Sequence, residues 1–459
     1  MISMDRIVKG STRARTDIVL PEENLPLGKT LALGLQHVLA MFGATVLAPI
    51  LMGFDPSLAV FFSGLGTMLF LLITRGSIPS YLGSSFAFIG PVLAAGSKDG
   101  NLSGALFGIL AAAVVYAIIG VLVMLSGAGW IEFLMPPIVT GAVVMVIGLN
   151  LANVAGGMFM SNWPLALITL LAAVLIAVYT RGFFSMLPIL LGVAFGYIVA
   201  LLNTLLGNPL PALGTIDTSG IANAAWLGIP NFVTPSVDWN AALLIAPVAI
   251  VLVAENTGHV KAISGNMGRN LTPKLGHAFL GDAAGTALSA IGGGTGQTTY
   301  AENIGVMAMT RVYSIAVFVV ASATAILLGF IPKFAALIQS IPVAVMGGIS
   351  LLLFGLIAAT GGRIWVDGAV DFAKQRNLIV GGVTIVVGAI NIPAAVGTPF
   401  AFHIGGFELS GIALATLVAI VLNQLLALRE RRDEADATST DRDRTPAPGV
   451  ADAQPEPSR

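Results

Sequence analysis

The chain has 459 residues, of which only 10% are charged and 56% are apolar, and its mean hydropathy is +0.91. A soluble domain carries about 25% charged residues, so most of this chain cannot face water. The net charge of −1 by itself says nothing about nucleic acid; with no basic face, no nucleic-acid partner is expected, and the absence of cysteine excludes disulfides, thiolate metal sites and cysteine nucleophiles.

Apolar runs of about 20 residues, each long enough to cross a hydrocarbon core, recur along the chain. The expected fold class is an all-α polytopic membrane protein. Residues 1–27 are polar and mixed in charge, without the basic-then-apolar pattern of a cleaved signal peptide. They are expected to form a cytoplasmic N-terminus, with the first span acting as its own insertion signal. Fourteen spans are expected, at 28–50, 56–74, 79–96, 103–125, 135–155, 163–180, 185–206, 240–262, 275–291, 299–309, 312–331, 339–360, 376–391 and 408–428. The third, ninth, tenth and thirteenth are short or interrupted by glycine and proline. Residues 207–239 read as an external loop. Residues 429–459 are polar, charged and proline-containing, and are expected to be a disordered cytoplasmic tail.

Charge placement supports an even number of spans with both termini cytoplasmic. On that topology all but Lys98 and Lys333 of the 22 Lys and Arg fall on the inner side, and the 207–239 segment has neither residue type.

The stretch SSFAFIG (84–90) echoes TTYAENIG (298–305), and the same offset of 214 residues sets MFGAT (41–45) against ENTGH (255–259). Span one then pairs with span eight and span three with span ten. Seven is odd, so the halves insert with opposite orientation, the inverted-repeat plan of many secondary transporters. Interrupted spans at matching positions of two such halves are where binding sites form, because broken ends expose backbone N–H and C=O groups. The glycine and hydroxyl run GGGTGQTT (292–299) suits backbone that crosses part of the membrane inside the protein, where irregular structure is tolerated only if buried or lining a cavity.

Two carboxylates sit at membrane depth: Glu255 in span eight and Glu302 where span ten turns helical. An acidic residue at a helix centre costs about 2.5–3.5 kcal/mol on insertion scales, so each needs a partner or a proton and is a candidate for substrate binding or proton coupling. His259 follows Glu255 by four residues, on one helix face, and is expected to hydrogen-bond it. His37, Ser85 and Asp282 are candidate supporting residues, Asp282 as a polar contact between helices. Glu255 and His259 do not make a metal site, since H-E-x-x-H is absent and no third ligand cluster is visible. No phosphate loop or nucleophile elbow is present, so neither ATP-driven transport nor hydrolysis is expected.

QHVLAMFGATVLAP (36–49), SYLGSSFAFIGPV (80–92), AENTGH (254–259), TTYAENIGV (298–306) and IPVAVMGGISLLLFGLIAATG (341–361) resemble, in order, segments of the nucleobase–ascorbate transporter family, also called nucleobase:cation symporter-2. The resemblance spans about residues 25–428 and implies fourteen segments in two inverted repeats of seven, with short antiparallel strands in segments three and ten, here SSFAF and QTTYA. It implies a core domain from 28–134 and 240–331, a gate domain from 135–206 and 332–428, and a homodimer through the gate. It also implies that Glu255 and Glu302 hold the base, that the Phe86 and Ala301 amides meet its carbonyls, that Tyr300 and Ala44 wall the pocket, and that His259 links the site to proton coupling. ENIG in span ten is similar to uracil-type bacterial members, whereas purine-type members carry a Gln-Asn pair there. The expected function is proton-coupled symport of uracil or a related pyrimidine across the cytoplasmic membrane, with protons as coupling ion and no other cofactor. The alternatives are a purine (xanthine or urate) permease of the same family, and a passive channel or anion transporter on the same architecture.

Overall fold

The computed structural model describes residues 18–390, 401–404 and 407–443. In chain order the elements are α1 (Leu27–Met52), α2 (Pro56–Ile73), β1 (Leu82–Ser84), a 3-10 turn (Phe86–Phe88), α3 (Ile89–Ala94), α4 (Leu102–Ser126), α5 (Gly129–Leu134), α6 (Pro137–Asn150), α7 (Ala152–Met160), α8 (Trp163–Tyr179) and α9 (Pro188–Leu205). After these come α10 (Ser219–Asn223), α11 (Trp239–Ile245), α12 (Val248–Met267), α13 (Leu275–Gly292), β2 (Gln297–Thr299), α14 (Ala301–Thr310), α15 (Ile315–Gly329) and α16 (Pro332–Gln339). The chain continues through α17 (Val343–Asp367), α18 (Gln375–Ala389), β3 (Ala401–Ile404), β4 (Phe407–Ser410) and α19 (Gly411–Asp443).

Among the described residues, eight helical stretches are long and apolar enough to cross a bilayer, and a ninth counts if α15 and α16, bent by 84° at their junction, make one span. Two shorter apolar helices, α8 and α18, add to these. The protein is therefore a predominantly helical, multi-pass membrane protein. At two of the expected segments, the third and tenth, a three-residue strand leads into helix.

The helices pack chiefly in two groups. In one, α13 lies on α4 and α2, and α15 lies on α2 and α1. In the other, α17 packs on α6, α7 and α8, while α18 packs on α19 and α6. The contact of α12 with α6 joins them.

The two strands meet within the first group, β1 against α1 and α2 and β2 against α12 and α13. β1 and β2 pair antiparallel, with Leu82 opposite Thr299, Gly83 opposite Thr298 and Ser84 opposite Gln297. Ser85 N–H to Gly296 O (2.9 Å) and Tyr300 N–H to Tyr81 O (3.0 Å) extend the ladder. The strand is Leu82–Ser84 and not SSFAF, because the chain turns into the 3-10 geometry once the Ser85 side chain caps the Ala87 amide.

A two-stranded ribbon in a membrane has edge amides that lipid cannot satisfy. The preceding helices supply hydroxyls instead. Leu82 N–H donates to Thr67 Oγ1 of α2 (2.8 Å); Gln297 N–H donates to Thr286 Oγ1 of α13 (3.0 Å), whose own proton goes to Gln297 O (3.2 Å). Thr286→Val keeps the volume and orphans a buried donor, at a cost of about 1–3 kcal/mol. The purified variant is expected to unfold at a lower temperature than wild type, and Thr286→Ser to recover most of the loss; equal melting of Thr286→Val and wild type would contradict this ribbon anchoring.

Gly293 caps α13 at φ +94, a left-handed geometry open to glycine. It lets the chain reverse into β2 within a few residues, which explains the glycine run.

The segment before α1 lies along the ends of α14 and α15. Val19 exchanges backbone bonds with Arg311 O and Tyr313 N–H (2.8 Å each), and Ser314 Oγ donates to Glu23 O (2.6 Å). Arg269, just after α12, forks onto both Glu22 oxygens at 2.7 and 3.1 Å and holds that carboxyl below the ordinary glutamate range. The segment thus ties together the ends of α12 and α14.

α19 runs to Asp443, past the expected start of the tail at 429. No glycine or proline interrupts the sequence between Gly411 and Pro446, and Leu, Arg, Glu and Ala favour helix locally whatever their solubility. Residues 1–17 and 444–459 lie outside the described residues, as does the 391–400 connection.

Candidate functional site

α12 and α14 carry the two intramembrane carboxylates to one place. Glu255 is on the middle of α12 and Glu302 on the first turn of α14, and both line a cavity of about 30 Å³ with Phe86, His259, Thr298, Thr299, Tyr300 and Ala301. The opposite wall comes from the second helix group: Val144 and Ile147 of α6, Ile357 and Thr360 of α17. Phe86 is buried and stands edge-on to Phe354 of α17, ring centroids 5.5 Å apart, so this aromatic contact bridges the two groups.

The cavity is also the meeting point of two chain ends that begin helices. Phe86 opens the 3-10 turn and Ala301 opens α14. The first intrahelical bond of α14 is Ile304 N–H to Tyr300 O (3.1 Å), so the amides of residues 301–303 precede it and have no helical acceptor. Helix N-termini present N–H donors and a partial positive charge to a ligand. The site therefore offers both kinds of recognition group: carboxylates that accept, and backbone amides that donate.

The polar side chains around it form two networks. In the first, the Tyr300 hydroxyl donates to Ser84 O (2.9 Å) and accepts from Thr45 Oγ1 (3.2 Å), joining α14 to β1 and α1. The Tyr300 ring passes over Gly83, and a Cβ there would run into the ring and its hydroxyl. In the second, His259 Nδ1 meets Thr299 Oγ1 at 2.9 Å. Asn256 uses both amide hydrogens on Asp282 Oδ2 and the Tyr116 hydroxyl, so its oxygen accepts from Thr299 Oγ1 (3.4 Å). Thr299 must then accept from His259 Nδ1–H, leaving Nε2 as the acceptor of the neutral imidazole.

Most sequence-expected residues come together here, with differences of detail. His259 pairs with Thr299 across the ribbon rather than with Glu255, although both its i, i+4 neighbour and it line the cavity. Ser85 Oγ lies 3.5 Å from Glu255 Oε2. Ala44 is fully buried in α1 and stands outside the cavity wall; it is the next residue, Thr45, that reaches the site, through Tyr300. His37 likewise does not line the cavity. It is 1% exposed, takes a hydrogen bond from Asn303 Nδ2 on Nδ1 (3.0 Å), and so steadies the first turn of α14. Asp282 is buried and joins α13 to α12 through Asn256. Among the described residues no three His, Asp or Glu side chains converge as a metal-holding group.

Sequence reasoning passed over Thr45, Asn256, Asn303, Thr298 and Thr360. Asn256 and Asn303 each follow a site carboxylate directly, and a polar residue beside an intramembrane charge was the available signal. Val144 and Ile147 had none, since aliphatic residues fill every span.

A larger cavity of about 430 Å³ adjoins the site, sharing His259, Ala301 and Thr360 with it. Gly258, Gly265, Gly305 and Ala308 line one side, and Arg363, Ile364 and Asp367 of α17 the other. Lys261, at its rim, pairs with Glu132 at 3.0 Å.

A family model described as a permease family, the xanthine/uracil permeases, matches residues 28–397. RutG of Escherichia coli (strain K12), which carries the provisional name of a pyrimidine permease, is 51% identical over 426 residues, covering 91% of this chain and 94% of that one. The uracil permease of Bacillus caldolyticus is 42% identical over 425 residues, with 89% and 94% covered. Among solved structures, the transmembrane domain of the cyanobacterial bicarbonate transporter BicA superposes with a TM-score of 0.57 at 14% identity, covering 86% of this chain and 97% of that one. The murine anion transporter Slc26a9, in its inward-facing state, gives 0.64 at 11% identity, with 93% and 74% covered. At these identities the structural likeness concerns the fold alone.

Proposed function

The chain belongs to the xanthine/uracil permease family, the nucleobase:cation symporter-2 family that its motifs resemble, and on that premise we propose that it is a proton-coupled symporter of uracil or a related pyrimidine. It is a permease and not an enzyme. The observation that carries the substrate reading is the convergence of Glu255 and Glu302 with the leading amides of two broken segments in one cavity. Uracil presents N–H donors and C=O acceptors along its edge; the carboxylates complement the first and the Phe86 and Ala301 amides the second. The names of the relatives support a pyrimidine over a purine.

Coupling follows from the same groups. A proton taken up by Glu255, Glu302 or His259 with the substrate neutralises charge that would otherwise be costly to move through the membrane interior. Proton and substrate must favour the same conformations for the coupling to be real. The group of α1–α4 and α12–α15 then acts as the core and that of α6–α9 and α17–α19 as the gate, with the cavity between them. Location in the cytoplasmic membrane, cytoplasmic termini and a homodimer through the gate complete the proposal.

Calorimetric titration of the purified protein tests the substrate class. Uracil is expected to bind saturably and thymine to compete, with xanthine much weaker; binding of xanthine in preference to uracil would reverse the assignment.

The larger cavity is read as the aqueous route between the site and the cytoplasm, consistent with Lys261 and Arg363 at its rim. The chain has no cysteine, and a Cβ at Gly305 would meet nothing within 4 Å, so Gly305→Cys adds one thiol without a clash. A membrane-impermeant thiol reagent is expected to label it in inside-out vesicles and not in right-side-out ones. Labelling only from the opposite side would invert the topology.

A further inference from the structure

We infer that the hydroxyl of Thr298 is a substrate contact and sets specificity for an oxygen on the ring; the inference rests on reading this cavity as the nucleobase site. Thr298 is 2% exposed, it lines the cavity, and its Oγ1 makes no well-formed hydrogen bond among the described residues; the acceptor beside it is the Glu255 carboxylate. Its neighbours differ. Thr299 is engaged by His259 and Asn256, and the Gln297 backbone by Thr286.

The ribbon explains why this hydroxyl is left open. Side chains alternate along a strand, so Thr298 projects away from the face that holds Gln297 and Thr299. Its cross-strand partner is Gly83, which offers no side-chain polar group; the Tyr300 ring fills that place, and its hydroxyl is taken by Ser84 O and Thr45 Oγ1. A buried hydroxyl without a well-formed hydrogen bond is unfavourable unless something completes it. Here the cargo completes it, the Thr298 hydroxyl turning to a ring oxygen from the Glu255 carboxylate beside it. A hydroxyl that donates, next to a carboxylate that accepts, matches a ring edge on which C=O stands beside N–H. Such a lactam edge occurs in uracil and is changed when sulfur replaces the oxygen.

The test compares Thr298→Val, which keeps shape and removes the hydroxyl, with Thr298→Ser, which keeps it. Each is titrated with uracil, 2-thiouracil and 4-thiouracil, sulfur being a weak acceptor. Wild type is expected to prefer uracil to at least one thio analogue. In Thr298→Val, uracil affinity is expected to fall roughly tenfold, as for loss of one buried hydrogen bond, and that preference to shrink toward unity. Thr298→Ser should keep both affinity and preference. A general structural defect would weaken all three ligands alike and leave the ratios unchanged, which would overturn the inference, as would a Thr298→Val protein that binds uracil like wild type. Wild type that binds no pyrimidine would overturn the nucleobase reading itself.

Discussion

Glu255→Ala is expected to bind uracil at least about 100-fold more weakly than wild type, a loss of about 2.7 kcal/mol and in the range of a hydrogen bond to a charged group. The effect should be on binding and not on folding. Glu255 makes little structural use of its carboxylate: beside it stand only two hydroxyls, that of Ser85 at 3.5 Å and that of Thr298. Removing an intramembrane carboxylate also removes a cost of insertion, so the variant should melt no lower than wild type. Glu302→Gln keeps size and one acceptor oxygen, and is expected to lose less. Titration together with a melting curve separates the cases. A Glu255→Ala protein that binds uracil normally would remove this residue from the site.

Gly83→Ala is the second large expectation. The added methyl falls where the Tyr300 ring and hydroxyl lie. Overpacking of this kind costs about 1–3 kcal/mol, and it is relieved here by displacing Tyr300. That would break its bonds to Ser84 O and Thr45 Oγ1 and shift Ala301 and Glu302, which follow it directly. Uracil uptake is expected to be nearly abolished, although protein still reaches the membrane. Tyr300→Phe breaks the same two bonds without a clash, and should retain more uptake than Gly83→Ala. If Gly83→Ala transports as well as wild type, the ring cannot lie over Gly83.

How far the site could be read from the sequence follows from what each signal measures. Glu255 and Glu302 stood out because charge at membrane depth is expensive, a fact about single residues that needs no structure. The echo between SSFAFIG and TTYAENIG located both halves of the ribbon, since equivalent positions in two repeats share small and hydroxyl residues. It could not give the strand boundary. Whether Ser85 continues β1 or caps a turn depends on a single side-chain bond to the Ala87 amide. Position on a helix was equally fine-grained. Ala44 and Thr45 differ by about 100° around α1, enough to send one into the core and the other to Tyr300. His259 shares a face with Glu255 by spacing, yet Thr299 arrives from β2, and no periodicity within α12 reports a strand crossing it. The helix beyond 428 shows a different limit: charge and proline content predict whether a segment can build a core, not whether an existing helix keeps going.

Uptake of labelled uracil into proteoliposomes, with and without an inward proton gradient, tests the central claim most directly. The account predicts saturable uptake that the gradient accelerates and that dissipating the gradient suppresses. Uptake that neither saturates nor responds to the gradient would contradict it and mark the protein as a passive pathway.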